Sequence, residues 1–434
     1  MRISTIQAFN NQVAGLQRNY SNVTRTQEQI STGKRILTPA DDPVASVRLL
    51  QLSQEESLNG QYKSNITAAK NSLNSEEAVL NSVGNVLQRI REIAVQAGDG
   101  GQDATDKAAL GTEIQQREDE LLSLLNSRDA SGKYLFGGSQ ADTAPFVRNA
   151  DGTYSYLGDE GRREVQVASS TFLALGDNGK ALFEDVFNAN RVTTSQGTVG
   201  TGSTARIAQG LVVDKTDYDT VFPASNPPAA TDAIGIHFLD SQNYVVYNPA
   251  TLPAGYDWTT YNPATPPTGQ LATGAFDTNT ATPNFVTYGG VKVQIDGKPA
   301  TGDDFSINRN PSQEKRGLLN VVSDLRKALQ SSSDGPVGNL QIRDSVAVAL
   351  SNLEAVNTKV LAVQGSIGAR LNTLDTTEGF VDDVSLVNKG VQSDLEDLDY
   401  AEAISRLTMQ STILQAAQQS FVKINGLSLF NFLN

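Results

Sequence analysis

Both ends of this chain carry a coiled-coil repeat, and a seam of that kind needs a second helix to cover it. From Val13 the apolar side chains fall at Leu16, Tyr20, Val23 and Ile30, with Gln27 at the missing step. From Ile413 they fall at Ala417, Ile424 and Leu427, with Ser420 filling the gap. Steps alternating between three and four residues keep one stripe facing one partner, so each terminus reads as a helix that requires another. No Asp or Glu precedes Glu28 and none follows Glu402. A solvated helix face ordinarily mixes charges. Here Gln, Asn, Ser and Thr stand instead, a composition suited to packing among many helices. The two ends are expected to pair with each other and then with further copies.

Composition excludes several functions. The net charge of −14 argues against a nucleic-acid groove or an anionic membrane surface, since both reward clustered Lys and Arg. No apolar run approaches the roughly 20 residues that span a bilayer, so membrane insertion is not expected. The opening residues lack the apolar core of a secretory signal, which leaves the cytosol or a signal-independent export route. With no cysteine there is no disulfide, thiolate nucleophile or cysteine-held metal. The single histidine, His237, sits in a Pro- and Thr-rich stretch without evident partners, and one histidine excludes a His-Glu-x-x-His zinc site.

Helix and strand signals divide the chain into three parts. A first helix is expected from about Thr5 to Ser31, closed by Gly33, and a second restarts at Asp42-Pro43. The second carries Leu73, Leu80, Val83, Leu87, Ile90, Ala94 and Ala97 on one seam. A third runs through Leu110, Ile114, Leu121 and Leu124, with Arg117 at the missing step. Tyr134-Leu135-Phe136 is strand-like, and Phe146 to Val167 reads as a meander turning at Asp151-Gly152 and Gly158 to Gly161.

From Thr216 to Val291 there is no Lys, Arg or Glu, and nine of the fifteen prolines lie there. Proline removes donors and clashes with the preceding turn, so this is an irregular β domain or a large loop. Within it Tyr247-Asn-Pro-Ala-Thr-Leu-Pro returns as Tyr261-Asn-Pro-Ala-Thr-Pro-Pro. Val291 to Ile295 and Phe305 to Ile307 close the β region. Helix resumes near Gln313. Ile342, Val346, Ala349, Leu353, Val356, Val360, Val363 and Ile367 then alternate by four and three, continuing more loosely through Leu374, Val381, Val384, Val391, Leu395 and Leu398. The fold class is α+β: an elongated helical coiled-coil rod from the N- and C-terminal segments, with a β-rich domain inserted between them. Its expected domains are 1–44 with 395–434 for assembly, 45–140 with 312–394 as rod, and 141–311 as insertion, with 216–290 Pro- and Thr-rich.

The same residues carry a resemblance. Ile30-Ser-Thr-Gly-Lys-Arg-Ile-Leu-Thr-Pro-Ala-Asp-Asp-Pro-Val-Ala-Ser46 resembles the N-terminal signature of the bacterial flagellin family. Asp397-Leu-Asp-Tyr-Ala-Glu-Ala-Ile, with Ile367-Gly-Ala-Arg-Leu-Asn-Thr-Leu374, is similar to its C-terminal counterpart. Within the family, Met1-Arg-Ile-Ser-Thr5, the segments Tyr134 to Phe146 and Asp151 to Gly158, and Gly302 to Ile307 resemble the hook–filament junction branch. The ending Leu429-Phe-Asn-Phe-Leu-Asn434 departs from the usual flagellin one.

The resemblance implies a structural subunit, not an enzyme, with no cofactor, metal or catalytic residue. It implies an extracellular place in the flagellum, reached through the flagellar type III channel with a cytosolic export chaperone. It further implies a ring of copies between the preceding hook-associated junction protein and flagellin. The assembly interface expected from the seams is Ile6, Val13, Leu16, Tyr20, Val23, Ile413, Leu414, Phe421, Ile424 and Leu427. Leu87 to Gln96 is also similar to the flagellin segment sensed by an innate Toll-like receptor, with Arg89, Arg91 and Glu92 exposed. Those charges have a plainer role too, since Leu87, Ile90 and Ala94 already belong to the seam.

Two other readings stand beside this one: filament flagellin itself, and a glycan- or receptor-binding surface module carried by the insertion. Gly197-Thr-Val-Gly-Thr-Gly202 lacks the Lys-Ser/Thr of a phosphate loop and reads as a linker. Asp41-Asp42 and Asp303-Asp304 lack calcium-loop spacing and read as caps and turns.

Overall fold

The computed structural model describes residues 2–222, 233–277 and 283–430, with side chains between 6 and 424. The chain forms two compact units, Met1–Thr67 with Gln166–Thr171 and Thr373–Asn434, and Ala68–Val165 with Phe172–Asn372. Two long helices, α2 (Pro43–Ala97) and α6 (Pro336–Glu396), contribute residues to both.

In the first unit, α1 (Arg2–Thr32) stops where the sequence places a helix terminator. Gly33 takes φ +72° and donates its N–H to the Gln29 carbonyl at 2.9 Å. A side chain there would be strained, and its Cβ would lie 3.0 Å from the Tyr400 hydroxyl. Asp41 accepts from the N–H groups of Leu37 and Thr38 and pairs with Arg25. Asp42 caps α2 by accepting from Ala45 N–H at 3.0 Å, with Pro43 as the first helical residue. Asp41 and Asp42 are thus the expected turn and cap. Arg35 N–H donates to Glu396 O and Leu398 N–H to Gly33 O, which joins the connector after α1 to the one before α7 (Tyr400–Phe430).

The second unit is organised by apolar seams. Leu73, Leu80, Val83, Leu87, Ile90, Ala94 and Ala97 of α2 are all buried. So are Ile342, Val346, Ala349, Leu353, Val356, Val360 and Ile367 of α6, whereas Val363 is half-buried. The seam of α3 (Ala104–Leu125) is rotated from expectation: Lys107, Gly111, Ile114, Glu118, Leu121 and Leu125 are inside, while Leu110, Arg117 and Leu124 are half-buried.

The cause of that rotation is α5 (Leu318–Gln330), 200 residues downstream, which packs on α3. Gly111 permits the approach, since a Cβ there would meet Gln330 Cγ at 2.9 Å. Glu118 is fully buried and accepts from Arg326 Nε at 2.7 Å and the Tyr154 hydroxyl at 2.7 Å. The hairpin β1 (Phe146–Arg148) and β2 (Tyr154–Tyr156) docks on α5 through Asn320, which both accepts from and donates to the Tyr154 backbone.

The expected strand at Tyr134 to Phe136 does not form. Phe136 is buried edge-on against Phe183, and its carbonyl accepts from Gly179 N–H and the Tyr156 hydroxyl, so turns satisfy the backbone there. The end of the expected meander, β3 (Glu164–Ala168), pairs instead with β4 (Thr171–Ala174), beyond the expected limit at Val167, in a separate ribbon.

The Pro-rich region is an ordered β domain where described. One sheet has the order β10 (Gln270–Ala275), β9 (Asn243–Tyr247), β8 (Ala233–Phe238), β13 (Asp304–Arg309) and β5 (Val192–Gln196). The other joins β11 (Asn284–Tyr288), β12 (Val291–Asp296) and β6 (Arg206–Ile207), with β7 (Leu211–Val212) also on β12. Their shared core includes Ile236, Phe238, Val291, Val293, Phe305 and Ile307, with Tyr218 and Phe222 from around α4 (Lys215–Val221).

The sequence repeat is a repeated turn: Asn248 accepts from Ala250 N–H and Asn262 from Ala264 N–H, each beside its proline. This keeps those prolines out of the strands. Prolines 223, 227 and 228 fall outside the described residues. The sheet is tied to α6 by Arg343, bidentate to Asp296 at 2.6 and 2.7 Å, and by Arg206, which bridges Asp296 and Asp344.

Two measurements follow. Removing one partner of a buried pair costs about 3–5 kcal/mol, so Glu118→Ala is expected to lower the urea midpoint of the second unit strongly, while Glu113→Ala at a neighbouring surface pair does not.

The second concerns pH. Glu76 is fully buried, with one oxygen unbonded; burial first, and then Asp177, push it up to about 8. Burial also pushes Glu184 up to about 7. Between the ordinary carboxyl value and these, the folded chain holds protons that the unfolded chain has released. Stability therefore falls as pH rises from about 4.5 to about 8. Thermal melts from pH 5 to 9 should show this decline, and Glu76→Gln should flatten most of it, leaving the Glu184 share.

Candidate functional site

The ends of the chain meet in α1 and α7, which pair antiparallel: Phe9 touches Phe421 with ring centroids 5.5 Å apart, and Thr26 donates to Gln410 at 2.8 Å. The dry positions near the end of α1 are Thr26 and Gln29, and Gln27 is exposed, so it does not fill the seam as expected. One residue is about 100° of helix rotation. The polar contact to Gln410, and that of Gln29 to Arg35 O, set the rotation. Ser420 is likewise exposed, and Phe421 takes the contact beside it. Phe9 was absent from the expected set, although it lies four residues before Val13 and continues that seam.

Between the two helices runs an apolar groove of about 690 Å³, lined by Val13, Leu16, Gln17, Tyr20, Gln418, Phe421 and Val422. Val23 and Leu414 are half-buried. Ile6 is 64% exposed, Tyr20 63%, Val422 69% and Ile424 48%, and Ile413 is exposed as well. The pair therefore covers only part of its own apolar surface. A second patch on α7 gathers Met409 and Ile413 with Ser405, Thr408 and Thr412. Leu427 lies outside the described side chains. No charged side chain lines the groove, and exposed apolar surface of this extent is a candidate interface.

The other sequence candidates are placed differently. Arg89 is spent on Glu113 and Glu92, and Arg91 on Glu354, so these exposed charges form surface pairs. His237 stacks on Trp258 with centroids 4.4 Å apart, while its buried Nδ1 has no hydrogen-bond partner, Asp304 lying 3.8 Å away. Buried Asp303 fills the loop at Gly197 to Gly202, accepting from Gly200 N–H and the Ser203 hydroxyl where a phosphate would bind. Among the described residues no group of three His, Asp or Glu could hold a metal. One helix, α6, is apolar and long enough by composition to cross a membrane, but its main seam is packed inside the second unit.

This arrangement, paired terminal helices with an open face and a β region between them, coincides with a family pattern. The profile of the bacterial flagellin N-terminal helical region matches residues 3–141, and that of the C-terminal helical region matches 350–433. The chain belongs to the bacterial flagellin family. Flagellar hook-associated protein 3 of Escherichia coli K12 is 26% identical to it over 430 residues, 99% of each chain. The protein of that name from Salmonella typhimurium is 35% identical over 186 residues, 43% of this chain and 58% of the relative. A Bacillus subtilis flagellin is 34% identical over 153 residues, 33% of this chain and 48% of that one. Hook-associated protein-3 from Legionella pneumophila shares the fold, with a TM-score of 0.62 at 24% identity, covering 80% of this chain and 98% of that structure. FlgL of Xanthomonas campestris gives 0.58 at 21%, covering 78% and 98%.

Within this flagellin-family chain the groove makes a direct prediction. Leu16→Asp puts a carboxylate where an apolar contact is needed, a burial that costs several kcal/mol by order of magnitude. The purified variant should keep its far-UV circular dichroism yet support no swimming. Normal flagella in that strain would remove Leu16 from any interface.

Proposed function

We propose that this structural chain of the flagellum forms the junction between hook and filament, seating a ring of its own copies on the preceding hook-associated protein and presenting the next surface to flagellin. The observation that carries the reading is the extent of likeness. Hook-associated protein 3 matches over 99% of both chains, whereas the Bacillus subtilis flagellin matches over a third of this one. The open groove between α1 and α7 supports a role in packing against further copies, because a helix pair with an uncovered apolar face is stable only when neighbours cover it.

The working division of labour follows the domains read from sequence. Residues 1–44 with 395–434 carry assembly, 45–140 with 312–394 support them, and 141–311 are an outward insertion. Export through the flagellar type III channel with a chaperone on the C-terminal region belongs to the same proposal. An apolar, acid-poor terminus is a surface that a chaperone would shield before assembly.

Electron microscopy of a deletion strain tests the reading. The expected result is intact hooks without filaments and unpolymerised flagellin in the medium. Hooks carrying normal filaments made of a second flagellin would overturn it, and loss of the filament's main subunit would select the filament role.

A further inference from the structure

A polar cavity of about 360 Å³ opens in the second unit between α5, α6 and the loop that precedes β5. That volume is at the small end of ligand pockets and gives room for one sugar-sized ring. Part of its lining is apolar: Val321 and Leu325 of α5, with Val348 and Ala349 of α6. Amides and hydroxyls make up most of the rest. Asn188 and Asn352 are buried and fixed by their own bonds, since Asn352 Nδ2 donates to Asn188 Oδ1 at 3.0 Å and Asn352 Oδ1 accepts from Ala189 N–H at 2.6 Å.

The charges along the cavity are matched. Lys315 pairs with Asp185 at 2.9 Å, and Arg316 donates from Nε and Nη2 to Asp324 at 2.9 and 2.6 Å. What remains open is neutral hydrogen-bonding capacity. Ser312 spends its proton on Asn310 Oδ1 at 2.6 Å and Ser345 on Gln341 O at 3.0 Å, so both hydroxyls have only lone pairs left. Asn190, with its amide donating to the carbonyls of Val192 and Gly210, likewise keeps an acceptor oxygen. Gln209 and Gln313 are exposed at the cavity and each offers a donor and an acceptor. The one side-chain contact of Gln209 is Asn190 at 3.4 Å, and among the described residues the Gln313 amide has no partner.

We propose that this cavity binds a neutral saccharide, its hydroxyls on Ser312, Ser345, Gln209 and Gln313 and its C–H face toward Val321, Leu325 and Val348. The chemistry restricts the class. Lone pairs on two serines ask for a ligand that donates, which a carboxylate or phosphate does not do, and Asp324 repels an anion. A cation finds no unmatched acid among the lining residues, and an apolar ligand would strand the amides. Alcohol groups both donate and accept, and a sugar ring adds an apolar face. A second cavity of about 300 Å³ shares Gln209 and Ser345 with the first, and its cation, Arg206, is also paired, with Asp296 and Asp344. A saccharide longer than one ring therefore has room to continue. The site stands apart from the junction reading and from the terminal groove.

Saturation-transfer NMR on the full chain, with glucose, galactose, mannose, rhamnose and N-acetylglucosamine as probes, tests for a free sugar, and a glycan array tests for one carried on a larger chain. Binding in either arm is the expected result and identifies the source. The double variant Gln209→Ala, Gln313→Ala should bind about tenfold more weakly and keep its melting temperature, because both side chains are exposed. Should it melt lower, a wild-type crystal soaked with the bound sugar still decides: density must lie against Gln313 and Ser345. Silence in both arms, undiminished binding by the double variant, or density elsewhere overturns the site.

Discussion

The apolar seams of α2 and α6 are the contacts on which the rest of the second unit depends. Each is a run of side chains spaced by three and four residues and almost wholly withdrawn from water. Such stripes bury little until a partner arrives and much once it does, roughly 1.5–3 kcal/mol per large side chain. Helices that are remote in sequence are thereby committed to a common core. The chain between them need only return to its starting point, and closing a longer loop adds little entropy cost. That is why a β domain of two sheets can interrupt a helical framework without weakening its logic.

Buried polar groups then choose among the ways these elements could dock. Glu118, Arg326 and Tyr154 join α3, α5 and the first hairpin in one bonded set. Arg343, Arg206, Asp296 and Asp344 do the same for the β sheet and α6. Such sets stabilise less than apolar packing of equal volume, but each alternative register would strand a charge. Glu76 and Arg191 are among the groups whose burial is not fully compensated. One holds a proton near neutral pH, and the other faces an electron-rich pair of rings.

The terminal pair follows the opposite rule. α1 and α7 pair along their length, with the Phe9–Phe421 ring contact and the Thr26–Gln410 bond among their contacts, and they leave Ile6, Tyr20, Val422 and Ile424 open. Acidic residues are missing from most of both helices, and no charged side chain lines the groove between them, so few charges must be desolvated when another helix arrives. A surface with low desolvation cost and high apolar area suits many-body helix packing, in keeping with the flagellin-family membership of the chain. The β domain, whose own core is complete, has no comparable open seam in the described residues.

Much of this was legible in the residues alone. The long helices, the Gly33 stop, the Asp42-Pro43 restart, the Asp-Gly turns and the seams of α2 and α6 are local patterns, and backbone sterics and periodicity decide them wherever the chain goes. Flanking motifs resembling flagellin named the family for the same reason. What the residues alone did not reveal depends on partners far away. Thr26 faces inward, where Gln27 was expected, because Gln410 stands opposite. Glu118 is buried in the seam expected to hold Arg117, because Arg326 reaches it across 208 positions. Tyr134 to Phe136 turns instead of extending because Gly179 and Tyr156 take its carbonyl. His237 stacks on Trp258 only once β8 lies beneath the loop that follows β9. Periodicity fixes which residues share a face, but the rotation of that face and the pairing of strands are set by whichever distant groups can satisfy it, and only the tertiary structure brings those groups together.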